Sequence, residues 1–278
     1  MAEILGTPII SADSRQVFRE IPIGTAAPTE KEQKRVRHYF VGTKSVAGNY
    51  NAGEYEADAI GLINNLFLTH DTLLLTGGSM LYIDAVCKGL DDIPHVSEET
   101  RRSVGGILQT KGLGFLQAEL QRLDPAYYQQ ADLQNPQRVA HAIEVCLESG
   151  KPYSSFRKGF THHQEERPFR ILKAGLQRDR EKLYQRINQR VDNMLEQGLL
   201  KEAERVYPWR HKNSLNTVGY KELFRYFDGD MLLDETINLI KQNSRHYAKR
   251  QMTWFRRDKD IHWFNAETTQ PEDIISLL

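Results

Sequence analysis

The sequence predicts an α/β fold: a parallel sheet with flanking helices, interrupted by an all-helical insertion. Three observations predict it. Residues 71–76 form an apolar run leading directly into Gly77-Gly78 and a helical pattern from Ser79, the strand–turn–helix unit of a buried parallel sheet. Residues 97–149 show helical spacing broken at Gly112, Gly114 and Pro125, with no convincing strand. Residues 169–176 then return to β texture ahead of long helices. The expected domains are 1–96 with 168–278, an α/β core with C-terminal helices, and 97–167, the insertion.

Taken in order, residues 7–11 are a short β-rich run stopping at Ala12-Asp13-Ser14, and residues 38–43 are a second candidate strand. Residues 54–70 carry apolar side chains at helical spacing (Ala57, Ile60, Ile63, Leu66, Phe67). The helix from Ser79 ends near Lys88, with Gly89 placed to close it. Residues 135–149 read as a helix with Pro136 in its first turn and Gly150 after its end. A polar run, 157–167, reads as a loop. Helices follow at 180–197, 199–207, 217–227 and 233–257.

Composition narrows the function classes. The 37 basic and 37 acidic side chains exclude a wholesale polycation, but a local basic face would still suit nucleic acid. Cys87 and Cys146 are too few for a disulfide framework or zinc site and read as buried thiols. No signal peptide opens the sequence and no run approaches membrane-spanning length, so a cytoplasmic protein without membrane association is expected.

Three features can carry chemistry. Asp13 ends an apolar strand, where open α/β sheets place ligands; it suits a general base, and equally an Asx turn. Gly77-Gly78-Ser79 allows close backbone approach to an anion, or is a tight turn with a serine cap. Basic side chains cluster late. Arg186 and Arg190 share one helix face, and Lys241, Arg245 and Lys249 recur every fourth residue, suiting a phosphate backbone or simply a solvated face.

Their joint order is more specific. Residues 9–18, continuing to Ile23-Gly24-Thr25-Ala26-Ala27-Pro28, resemble the signature of tRNA dimethylallyltransferases (tRNA isopentenyltransferases). Further blocks agree in order at Leu75 to Tyr82, Asn135 to Arg138 and Arg250 to Arg257, with Val218-Gly219-Tyr220 a weaker match. The resemblance covers essentially the whole chain. It implies a nucleoside-triphosphate-binding (P-loop) type of core with a helical insertion. The implied reaction moves dimethylallyl from its diphosphate to N6 of the adenosine 3′ of the tRNA anticodon, with magnesium assisting the leaving diphosphate.

By that likeness Asp13 matches the general base and Arg190 an arginine on the leaving group. Asp13, Ser14, Arg15 and Gln16 match a stretch touching the extruded adenosine. Further tRNA contacts are implied at Ser79, at Arg101, at Asn135, Pro136, Gln137, Arg138 and Val139, and at Asn216, Thr217, Val218, Gly219, Tyr220 and Lys221. A monomer is expected, meeting the anticodon stem-loop.

The sequence also departs from the family's pattern. The family opens with a strand and a glycine-rich phosphate loop ending in Gly-Lys-Ser/Thr, and these 278 residues contain none. Ala27 stands where the family commonly has lysine. Met1 falls within what resembles the helix after that loop, so a truncated form is expected, with weak donor binding and little turnover. Two alternatives stay open: a cytokinin-type adenylate prenyltransferase, and a non-catalytic tRNA-binding remnant.

Overall fold

The computed structural model describes residues 1–157 and 167–278. These divide into two compact units, 1–87 with 168–278, and 88–167. The loop expected at 157–167 therefore lies, apart from its two ends, outside the described residues.

In the first unit, the short helix α1 (Ala2–Leu5) leads into β1 (Ile9–Ser11), α2 (Glu30–Arg35), β2 (His38–Tyr39), α3 (Ala52–Leu66), β3 (Leu74–Thr76) and α4 (Met80–Lys88). The strands form a parallel sheet in the order β2-β1-β3, with Ile9 beside both His38 and Leu74. Parallel neighbours need crossovers, and α3 is the longest of these. Its buried side chains, Tyr55, Ala59 and Ile63, recur at helical spacing and pack with Ile10, Ala12, Tyr82 and Val86. Tyr55 stacks on Tyr82 at 4.2 Å, and its hydroxyl donates to the Ser11 carbonyl, holding the end of β1. The strand expected at 38–43 stops at Tyr39. Phe40 and Gly42 take positive φ values of 61° and 62°, which no ladder accommodates.

The rest of this unit is β4 (Lys173–Gln177), α8 (Arg180–Glu196), α9 (Leu199–Val206), α10 (Tyr220–Phe227), α11 (Leu233–Phe255), β5 (Ile261–Asn265) and α12 (Pro271–Ile275), once the second unit's helices are set aside. The strand expected at 169–176 begins late and pairs in parallel with β5, forming a separate two-stranded sheet rather than extending the first. The helix expected from Thr217 starts at Tyr220, because Gly219 sits at φ 101°. Val17, Phe18 and Ile21, just after β1, are buried with Val191, Leu199, Val206, Tyr220 and Leu223. The C-terminal helices thus pack on the segment that follows β1.

The second unit contains α5 (Glu98–Leu123), α6 (Pro125–Tyr128) and α7 (Pro136–Ser149). Gly112 interrupts α5 with φ 79°, and Pro125 opens α6 behind an Asp124 cap; Gly114 makes no break. Val104, Leu116 and Leu120 bury against Val139, Ala142 and Ile143, giving this unit its own core. Among the described residues no helix is long and apolar enough to cross a membrane.

Candidate active site

The chain reverses sharply after β1, and each residue of the reversal is tied to a different place. Ala12 is fully buried and donates to Thr76 on β3, so Asp13 emerges at the strand's carboxyl tip. Asp13 Oδ1 accepts from the backbone N–H groups of Arg15 at 2.8 Å and Gln16 at 3.2 Å, an Asx turn. Oδ2 takes no hydrogen bond among the described residues. One oxygen therefore builds the loop while the other is left for a ligand. The Asx turn expected of this residue is present.

Ser14 donates its N–H to Ser79 Oγ at 2.8 Å, and Ser79 Oγ donates to Ser14 Oγ at 3.0 Å. Ser79 thus binds the reversal instead of capping α4. Arg15 donates to the carbonyls of Asn213 and Ser214 at 3.0 Å and Asn216 at 3.5 Å. Gln16 Nε2 donates to the carbonyls of Thr25 at 3.2 Å and Ala26 at 3.1 Å, while its Oε1 accepts from Ser11. Arg190 Nη2, reaching from α8, donates to the same Thr25 carbonyl at 3.3 Å.

The Gly77-Gly78 turn backs onto this reversal. A Cβ on Gly77 would collide with the backbone of Ala12, so only glycine allows the close approach. The Gly78 carbonyl accepts from Gln251 Nε2 at 2.7 Å and from the Tyr247 hydroxyl at 3.4 Å, both on α11.

Electrostatically, the Asp13 carboxylate faces two guanidiniums. Burial lowers the Arg15 pKa from its ordinary position, and the charge of Asp13 opposes that; Arg190 stays partly open to solvent, and Asp13 favours its charge as well. Burial likewise pushes the Tyr82 hydroxyl up to about 12 and raises Tyr247, Asp13 adding to both. Arginines remain charged at neutral pH and these phenols remain neutral, so one carboxylate sits among two cations and the local balance favours an anionic ligand.

The basic stripes are less available than their spacing suggests. Lys241 pairs with Asp192 at 2.6 Å, and Arg245 donates to Asn188 at 2.6 Å while lying over Tyr184. Arg178 and Lys182 both meet Glu267. These cations largely serve packing between elements. Lys249 and Arg186 are exposed, with no ion pair among the described residues.

The family model for IPP transferases matches residues 16–258. The chain belongs to the IPP transferase family. Among its relatives, tRNA dimethylallyltransferase 1 of Phocaeicola vulgatus is 57% identical over 267 residues, covering 96% of this chain and 88% of that one. A protein of the same description from Bacteroides fragilis is 55% identical over 278 residues, covering 100% and 91%. The crystal structure of a tRNA isopentenylpyrophosphate transferase from Bacillus halodurans superposes with a TM-score of 0.69 at 32% identity, covering 99% of this chain and 87% of its own.

Within this IPP transferase fold, the predicted residues fall in separate places. Asp13, Ser14, Arg15, Gln16, Ser79 and Arg190 come together in the first unit, and Arg15 ties them to Asn216. Thr217 and Val218 are half-buried and Lys221 is exposed, whereas Tyr220 is fully buried. In the second unit Arg101, Pro136, Gln137 and Arg138 are exposed, Asn135 caps α7 through Arg138 N–H, and Val139 is buried. Sequence reasoning missed Tyr247 and Gln251 as partners of the glycine turn. It missed Thr25 as well, since a carbonyl shared by two side chains leaves no signature in residue type.

Among the described residues no three His, Cys, Asp or Glu side chains gather as ligands. Magnesium held by one or two carboxylates takes its other ligands from water and substrate phosphates.

Proposed function

We propose that the protein transfers a dimethylallyl group from dimethylallyl diphosphate to N6 of the adenosine 3′-adjacent to the tRNA anticodon, releasing diphosphate. The observation that carries this reading is the unengaged Asp13 oxygen beside two guanidiniums at a strand tip, in a chain of this family. The adenine amine is a weak nucleophile. As N6 bonds to the allylic carbon, the carbon–oxygen bond breaks and its electron pair leaves with diphosphate. Asp13 Oδ2 takes the proton lost from N6. Arg190, which among the described residues commits one N–H to Thr25, meets the charge growing on the diphosphate. Arg15, bound by three carbonyls, fixes the loop and contributes charge without moving.

The adenine must leave its stack to reach Asp13. Ser14, Gln16 and Ser79 shape the place it enters. Arg101, Asn135 to Arg138, Asn216 to Val218 and Lys221 contact the RNA, while Val139, Gly219 and Tyr220 support them from buried positions. A monomer acting on tRNA in the cytoplasm fits this role.

The test is transfer of labelled dimethylallyl to an unmodified anticodon stem-loop, in competition with free AMP. Preference for AMP, or stem-loop binding without transfer, overturns the proposal. Arg190→Ala is expected to raise KM for the donor about ten-fold or more through loss of a charge-assisted contact, with stem-loop Kd within about two-fold. Weakened stem-loop binding with unchanged donor KM contradicts that role.

A further inference from the structure

The geometry points to Glu202 as a positioning residue for Arg190 and Gln16, acting through the turn at 23–26. This rests on the reading of Arg190 given above. Glu202 lies on α9 and is completely buried. Its Oε2 accepts the Ile23 N–H at 2.9 Å; its Oε1 accepts the Gly24 N–H at 2.8 Å and the hydroxyl of Tyr220, which is also fully buried. A carboxylate far from water is costly unless donors surround it, and here three do. Burial and the neighbouring Glu202 raise the Tyr220 pKa, keeping its hydroxyl protonated as a donor.

The turn is clamped on its other sides too. A Cβ on Gly24 would run into the Tyr220 ring and hydroxyl, so the backbone lies directly against that side chain. Thr25 Oγ1 donates to the Ile21 carbonyl at 2.8 Å. Ala26 is held at φ 46°, a left-handed conformation that costs a non-glycine residue and persists only where its surroundings impose it. The outcome is that the Thr25 carbonyl faces both Gln16 and Arg190, and the Ala26 carbonyl faces Gln16. Glu202 itself touches none of the reacting groups. It sets where the Thr25 oxygen stands, and that oxygen sets where Arg190 stands relative to Asp13.

Glu202→Gln keeps the volume but turns an N–H towards one of the donors. The expected result is a donor KM raised about ten-fold, with stem-loop Kd within about two-fold, as for loss of a well-made charged contact. Placed in an Arg190→Ala background, the same change adds little, since both act on one interaction. Tyr220→Phe removes one donor and keeps the ring. It is expected to shift donor KM about three-fold in the same direction, and carries the test if the glutamine variant fails to fold. Amide exchange at Ile23 and Gly24 is expected to rise in Glu202→Gln more than elsewhere in the chain.

Full multiplicative effects in the Arg190→Ala background overturn the proposal, as does a lowered Tm with donor KM unmoved in both variants. Unchanged exchange at Ile23 and Gly24 also overturns it. A wild-type protein without transfer sinks the prenyltransfer reading instead, and the exchange measurement then still decides the clamp.

Discussion

Asp13→Asn is expected to slow dimethylallyl transfer about a thousand-fold, the middle of the range for removing a positioned general base. The asparagine Oδ1 can keep both Asx-turn bonds to Arg15 and Gln16, so the reversal after β1 is expected to survive. What is lost is the proton acceptor and the negative charge between Arg15 and Arg190. Stem-loop affinity is expected to stay within about three-fold, because loss of one carboxylate removes no phosphate contact. Single-turnover transfer and a filter-binding isotherm on the same preparation separate the two effects. Transfer near the wild-type rate removes the base assignment.

The second large effect falls on the glycine turn. Gly77→Ala places a methyl group against the backbone of Ala12, where no side chain can rotate aside. At Gly78 the added methyl meets only the end of the Gln251 side chain, which can move. Overpacking of this kind costs about 1–3 kcal/mol, so Gly77→Ala is expected to lower Tm by roughly 5 °C or more. Gly78→Ala is expected to lower it by no more than about 2 °C. The backbone shift that relieves Gly77→Ala also draws Ser79 from Ser14, so transfer falls as well. Thermal melts in which the two variants behave alike would show that the close approach to Ala12 is not what fixes this turn.

How much of this was legible beforehand depended on where the information sits. Helices α3, α4, α7, α8 and α11 announce themselves by periodicity, and their observed bounds lie within a few residues of those expected. The ends of β2 and α10 were misjudged because backbone conformation at Phe40, Gly42 and Gly219, not side-chain pattern, terminates them. β5 went unread because Ile261–Asn265 is five residues long and is stabilised by a partner 88 positions earlier, as in the pairing of Lys173 with Ile261. Asp13 and Ser79 stand within the ordered motifs, whereas Arg190 lies outside them and its role came only through the family likeness. Glu202 was not legible, because Glu202 and Glu204 look alike within an amphipathic stretch, and only tertiary burial makes one a clamp and leaves the other in solvent.

The pairing of Lys241 with Asp192 and of Arg245 with Asn188 bears on how the protein responds to ionic strength. Each cation that displaces a counterion from RNA steepens the fall of log K with log[salt] by roughly 0.7–0.9. Lys241 is already neutralised by Asp192, whereas Arg245 keeps its charge beside the neutral Asn188 amide, so a titration with potassium chloride should give a slope shallower by about 0.7–0.9 than three free cations would produce.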